Sequence, residues 1–262
     1  VARHHVQVAV GRFQEIDQTG PHGLPVRSYV PQGDAATDLA DAAAARRTPG
    51  ELAWLERTIG RPFPFSSYGV LAVDSPYGGA ALETATLSTF SVRGLAQPDE
   101  SQTQVHEMTH QYFGDAVSVG DWDDMWLSEG HATFYQWLYT SQTGGDALAD
   151  VMRSEYETND SQLAFSGPVA RLDSAAGVLF DTDVEGALTL YALHHLVGEA
   201  TFHRIEQTYY DTYRGRSATT ADYVAVAERV SGRDLTAFFH GWLYSTTTPA
   251  MPGHPDWHQK SD

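Results

Sequence analysis

The chain has 262 residues, 42% of them hydrophobic, enough to bury a sizeable core and to exclude a disordered chain. Sixteen basic side chains against 34 acidic ones leave a formal net charge of −18, which argues against nucleic acid or an anionic membrane surface as the main partner. Cysteine is absent, so disulfide frameworks and thiolate metal sites are excluded, while the compartment stays open between secreted and cytoplasmic.

No apolar stretch is long enough to form a transmembrane segment. The first residue is Val1 rather than methionine, so the N-terminus reads as incomplete. The β-branched runs Val6–Val10 and Val26–Val30, separated by Gly20, Pro21 and Gly23, predict a pair of strands. Alanine-rich Asp34–Arg47 predicts a helix stopped by Pro49, and Glu51–Ile59 a second helix ended by Gly60. Strands are expected at Val70–Val73 and Leu82–Phe90, around a turn at Ser75–Gly79. From Ser101 the pattern becomes helical. Ser101 and Gln104 have capping-box spacing and open a helix that Gly114 ends. Further helices are expected at Leu127–Thr140, Asp146–Glu157, Glu185–Val197, Ala200–Tyr213, Thr220–Val230 and Leu235–Tyr244. The proline-containing tail 248–262 reads as an extended segment hugging the surface. The expected fold class is α+β, a small β-sheet layer followed by a mainly helical bundle.

The strongest chemical pattern is His106-Glu107-Met108-Thr109-His110, an H-E-x-x-H on a predicted helix. Four residues along an α-helix turn through roughly 400°, so both imidazoles face the same way and can share one zinc ion. Glu107, beside the first histidine, is placed to act on water rather than to bind the metal. A catalytic zinc needs a third protein ligand and an open position. Glu129 in Trp126-Leu127-Ser128-Glu129-Gly130 offers that ligand, with eighteen residues between it and His110, on the next helix.

These two segments, HEMTHQYFGD at 106–115 and WLSEGHATF at 126–134, resemble the aminopeptidase N family of zinc metallopeptidases, the gluzincins with an HExxH-x18-E pattern. Gly79-Ala80-Ala81-Leu82-Glu83-Thr84 resembles, in divergent form, that family's exopeptidase strand, and Phe238–Leu243 its closing helix. The resemblance implies a thermolysin-like catalytic domain over residues 32–247. Residues 1–31 would be remnant strands of a preceding β-domain whose bulk is missing, and 248–262 a C-terminal tail. It implies one Zn2+ held by His106, His110 and Glu129, and peptide hydrolysis by zinc-activated water with Glu107 as general base. Glu83 would bind the free α-amino group of the substrate, and the backbone of Gly79, Ala80 and Ala81 would pair with it.

Two departures accompany the resemblance. Family members carry an oxyanion-binding tyrosine where counting back from Gly186 reaches Asp183, and no tyrosine occurs between Tyr156 and Tyr191. Tyr191 is a candidate replacement, with core packing as its alternative role. His131 stands where relatives place an aromatic residue; it reads as a supporting or pocket-wall histidine rather than a fourth ligand. Trp122, Trp126 and Trp137 are expected to pack the bundle, Tyr112 or Tyr135 to line a side-chain pocket, and Asp121, Asp123 and Asp124 to form a solvated acidic turn. The missing tyrosine leaves two alternatives open besides a peptidase: a zinc hydrolase or lyase acting on a non-peptide small molecule, and a catalytically weakened zinc-stabilised scaffold.

Overall fold

In the segment PVRSYVP every second residue turns inward, Val26, Ser28 and Val30, while FQEIDQT buries Ile16 alone. That period of two is the pleat of a strand with one face on the core. The computed structural model describes residues 7–32, 36–74, 81–92, 94–95, 100–171 and 182–260. The chain divides into two compact units, Val1–Ala116 and Val117–Asp262.

In the first unit, β1 (Phe13–Thr19) and β2 (Pro25–Pro31) form an antiparallel hairpin, with Ile16 opposite Ser28. A 3-10 turn at Pro21–Gly23 connects them. β3 (Val70–Val73) and β4 (Ser88–Ser91) complete a four-stranded sheet of order β1-β2-β3-β4, the last two pairings parallel. Val70, Leu71 and Ala72 are all buried, as expected of an interior strand covered on both faces. α1 (Ala36–Ala45) and α2 (Thr48–Ile59) lie between β2 and β3 in the chain, and α3 (Glu100–His110) follows β4. Pro49 does not stop a helix. It sits in the first turn of α2, where its missing N–H costs nothing.

Two strand expectations are corrected. Val6 lies outside the described residues, and residues 7–10 form no strand: Val8 and Val10 are 88% and 96% exposed. The paired strand begins at Phe13, with fewer β-branched residues but a partner. Leu82–Phe90 is a hairpin rather than one strand. Leu82 and Thr89 exchange two backbone hydrogen bonds of 2.8 Å, and the Leu87 N–H closes a turn on the Thr84 carbonyl at 3.0 Å.

The second unit holds α4 (Trp126–Gln142), α5 (Leu148–Ser166), α6 (Thr182–Val197), α7 (Glu199–Tyr213), α8 (Thr220–Ser231) and α9 (Thr236–Tyr244). The pattern missed a parallel pair of three-residue strands, β5 (Val117–Val119) and β6 (Arg216–Ala218). α4 crosses α6 glycine on glycine. A Cβ added to Gly130 would fall 2.6 Å from Gly186 Cα, and one added to Gly186 would fall 2.7 Å from Gly130 Cα. The acidic turn is solvated only in part. Asp121 and Asp123 are exposed, whereas Asp124 is buried and caps α8, accepting from Thr220 N (2.7 Å) and Thr220 Oγ1 (2.8 Å). Trp126 is buried and donates to Thr220 Oγ1 at 2.9 Å, but Trp122 is largely exposed. Tyr112 in the first unit and Tyr135 in the second are fully buried core residues rather than pocket walls.

The tail follows α5. Tyr156 Oη donates to the Pro249 carbonyl (3.1 Å), and the Thr248 N–H donates to Asp160 (2.6 Å). Gln259 then spans an i, i+4 pair of α5, accepting from the Asp160 N–H and donating to the Tyr156 carbonyl. Trp257 is buried, its ring stacked 4.0 Å from His254. No helix among the described residues is long and apolar enough to cross a membrane.

Candidate metal centre

Helix α3 presents its chemistry because its other faces are committed to the core. Val105, Met108 and Thr109 are fully buried, and Thr109 Oγ1 returns a 2.7 Å hydrogen bond to the Val105 carbonyl. This leaves His106 and His110 one turn apart, with ring centroids 4.8 Å apart and planes inclined at 76°. His110 is 2% exposed, Glu107 5%, and His106 is half-buried. Two residues before His106, buried Gln104 ties α3 to the start of α2. With both ends of its amide satisfied, it donates to Glu51 (3.1 Å) and accepts from Arg47 (2.9 Å). Burial pushes the Glu51 carboxyl up to about 8, against the opposing pull of Arg47 at 3.4 Å.

Glu129 is half-buried in the first turn of α4. One nitrogen of each histidine and one Glu129 oxygen all lie within 4.8 Å of one another. Tetrahedral coordination at bonds of 2.0–2.2 Å separates ligand atoms by about 3.4 Å, so modest side-chain adjustment would close this set on an ion. Two imidazoles and a carboxylate fit a borderline cation that keeps an open position. They do not fit calcium or magnesium, which prefer oxygen cages.

The remaining candidates fall in different places. Glu83 and Ala81 are half-buried, at the start of the Leu82–Thr89 hairpin. Gly79 and Ala80 lie outside the described residues. His131 is fully buried, and both its ring nitrogens are engaged. Nδ1 is 2.7 Å from the Leu127 carbonyl, which can only accept, so Nδ1 carries a hydrogen. Nε2 lies 2.9 Å from Glu206 Oε2, and Glu206 also accepts from Tyr223 Oη at 2.7 Å. His131 is therefore a buried structural partner of α7 and α8 rather than a pocket wall. Tyr191 is buried against the tail. Its hydroxyl is 3.0 Å from His254 Nε2, its ring stacks with Trp257, and burial pushes its phenol up to about 12. Asp183 sits in the first turn of α6, and its charge adds to burial in raising the Glu155 carboxyl.

Sequence reasoning missed one residue beside the motif. Gln111, fully buried directly after His110, donates from Nε2 to the Glu83 carbonyl (3.0 Å). Its Oε1 accepts from the Thr86 N–H (2.7 Å). A polar side chain with no solvent-facing alternative was the available sign.

Residues 43–242 match the peptidase family M1 domain. Aminopeptidase N of Streptomyces lividans is 27% identical over 210 residues, covering 72% of this chain and 24% of that protein. Glutamyl aminopeptidase of Bos taurus is 26% identical over 267 residues, covering 93% of this chain and 27% of that protein. A crystal structure of a mutant M1 zinc metallopeptidase from Deinococcus radiodurans, bound to a Tyr-Ser-Ala substrate, superposes with a TM-score of 0.73 at 27% identity. That alignment covers 94% of this chain and 54% of the other. The chain thus spans about a quarter of the length of these curated relatives.

Proposed function

The chain belongs to peptidase family M1, and from that membership we propose that it forms the catalytic core of a zinc-dependent aminopeptidase. The observation that carries this reading is the convergence of His106, His110 and Glu129 donor atoms within 4.8 Å. Two imidazoles and one carboxylate, with a fourth position left for water or substrate, make up hydrolytic zinc sites. Bound there, zinc supplies the Lewis acidity that polarises a scissile carbonyl and makes water nucleophilic at neutral pH.

The chain's own residues do the rest. Glu107 takes a proton from the attacking water as the carbon–oxygen bond forms. It delivers that proton to the leaving nitrogen as the carbon–nitrogen bond breaks, so the carboxylate is regenerated each cycle. Glu83 offers a negative charge to the α-ammonium group of the substrate, which would count residues from the N-terminus. The names of the similar proteins, and the tripeptide bound to the Deinococcus enzyme, weigh toward peptides over non-peptide small molecules.

The test is hydrolysis of amino-acid arylamides across a zinc titration. Glu107→Gln should lower turnover by roughly 100- to 10,000-fold while zinc content stays at one ion per chain. No zinc-dependent turnover by the unaltered chain, at any metal loading, would refute the reading.

A further inference from the structure

The hairpin that carries Glu83 is held from two sides by glutamine amides. On one side Gln7 donates to the Leu87 carbonyl (3.0 Å) and accepts from Thr89 Oγ1 (2.7 Å). On the other, Gln111 bridges the Glu83 carbonyl and the Thr86 N–H. The two clamps differ in origin. Gln7 comes from the N-terminal segment, whereas Gln111 directly follows His110 and rides on the end of the metal-binding helix. Thr86 also has φ +67°, a left-handed conformation that costs a β-branched residue roughly 1–2 kcal/mol. A residue held there needs its backbone N–H fixed, and Gln111 supplies the acceptor.

We propose that Gln111 is a positioning residue for the substrate's amino terminus: it fixes the peptide plane after Glu83, and so sets the distance between the amine-binding carboxylate and the His106–His110 metal centre. This rests on the reading of Glu83 given above. The amide is buried and uses both its ends on the hairpin, so no water can replace it at either bond without opening the core. The bonds go to backbone groups, and a side-chain change at Thr86 would leave them intact. Gln111 spends its amide on the Glu83 carbonyl and the Thr86 N–H, and so acts through the hairpin. Its loss should let the hairpin relax, blurring where the free amine is held while leaving the donor set on α3 and α4 in place.

Three variants of the full chain test this, each assayed with leucine arylamide and with its N-acetylated counterpart. Gln111→Met keeps length and burial but removes both hydrogen bonds. It should raise KM for the free-amine substrate about tenfold, the effect of losing about 1–2 kcal/mol of positioning. Its kcat and zinc Kd should stay within about twofold, and the preference for the free over the acetylated substrate should fall in proportion. Gln111→Glu keeps an acceptor for the Thr86 N–H but cannot, when ionised, donate to the Glu83 carbonyl; its KM should lie between the two. Glu83→Gln is the reference and should abolish the preference for a free amine.

If Glu83→Gln leaves that preference unchanged, the amine-binding reading fails and takes this proposal with it. If Glu83→Gln removes the preference but neither Gln111 variant raises KM, the proposal alone is overturned. A fall in zinc affinity and kcat at constant KM overturns it equally, because Gln111 would then be supporting His110 rather than the hairpin. Should Gln111→Met fail to fold, the intermediate KM of Gln111→Glu decides the matter.

Discussion

Gly130→Ala adds one methyl group where helix α4 meets α6. The new Cβ would lie 2.6 Å from Gly186 Cα, 2.7 Å from its carbonyl carbon and 3.1 Å from the Ala187 nitrogen. All three are backbone atoms, so no side chain can rotate out of the way. Carbon atoms rest at roughly 3.5–4.0 Å, so the helices must part by about 1 Å at their crossing. Overpacking of this kind costs about 1–3 kcal/mol, set against about 1 kcal/mol gained by replacing a helical glycine with alanine. The net cost, up to about 2 kcal/mol, lowers Tm of a unit of roughly 150 residues by a few degrees. Because the displaced turn carries Glu129, zinc affinity should fall about tenfold. Thermal unfolding of the zinc-free chain and competition with a chromophoric chelator measure the two effects. A variant that melts at or above the unaltered chain, with zinc affinity intact, would refute the glycine-on-glycine account.

Gly50→Ala supplies the opposite sign. It lies within α2, and an added Cβ would meet nothing within 4 Å, so the substitution should raise stability by up to about 1 kcal/mol in denaturant titration. Glu51 should make stability depend on pH. Its folded carboxyl titrates near 8 against 4.5 in the unfolded chain, so the folded state holds the extra proton between these values. Stability is therefore full below about pH 4.5 and declines as pH rises through about 8, by a few kcal/mol in total. Glu51→Gln should remove that contribution, so that the stability curves of variant and parent diverge from about pH 5 upward; parallel curves would contradict the assignment.

The parts of this protein legible in its sequence are those in which cause and effect lie within a few turns of chain. The pairing of His106 with His110 is helix periodicity, and Glu129 follows from one further helix. His131 shows the limit. Its place where relatives carry an aromatic residue left a supporting or pocket-wall role open, but its partners Glu206 and Tyr223 lie far along the chain, and tertiary packing turned it inward. Leu82–Phe90 failed for a related reason. A period of two cannot distinguish one strand from two ends pairing with each other, and the turn between them rests on Thr86, which has no turn-forming reputation. Asp124 read as solvated because its capping partner Thr220 is remote in sequence. β5 and β6 are too short, at three residues each, for any periodicity to register.

The bond between Gln259 and helix α5 also has a consequence in time. Gln259 meets Asp160 and Tyr156 from 99 and 103 residues further along the chain. At synthesis rates of about 5–20 residues per second, those partners are made roughly 5–20 seconds apart. Helix α5 therefore gains this partner late, from a segment that lies beyond the end of the family match at residue 242. The second unit can reach its final packing only after that late strap has emerged, and a chain cut at the family boundary would never receive it.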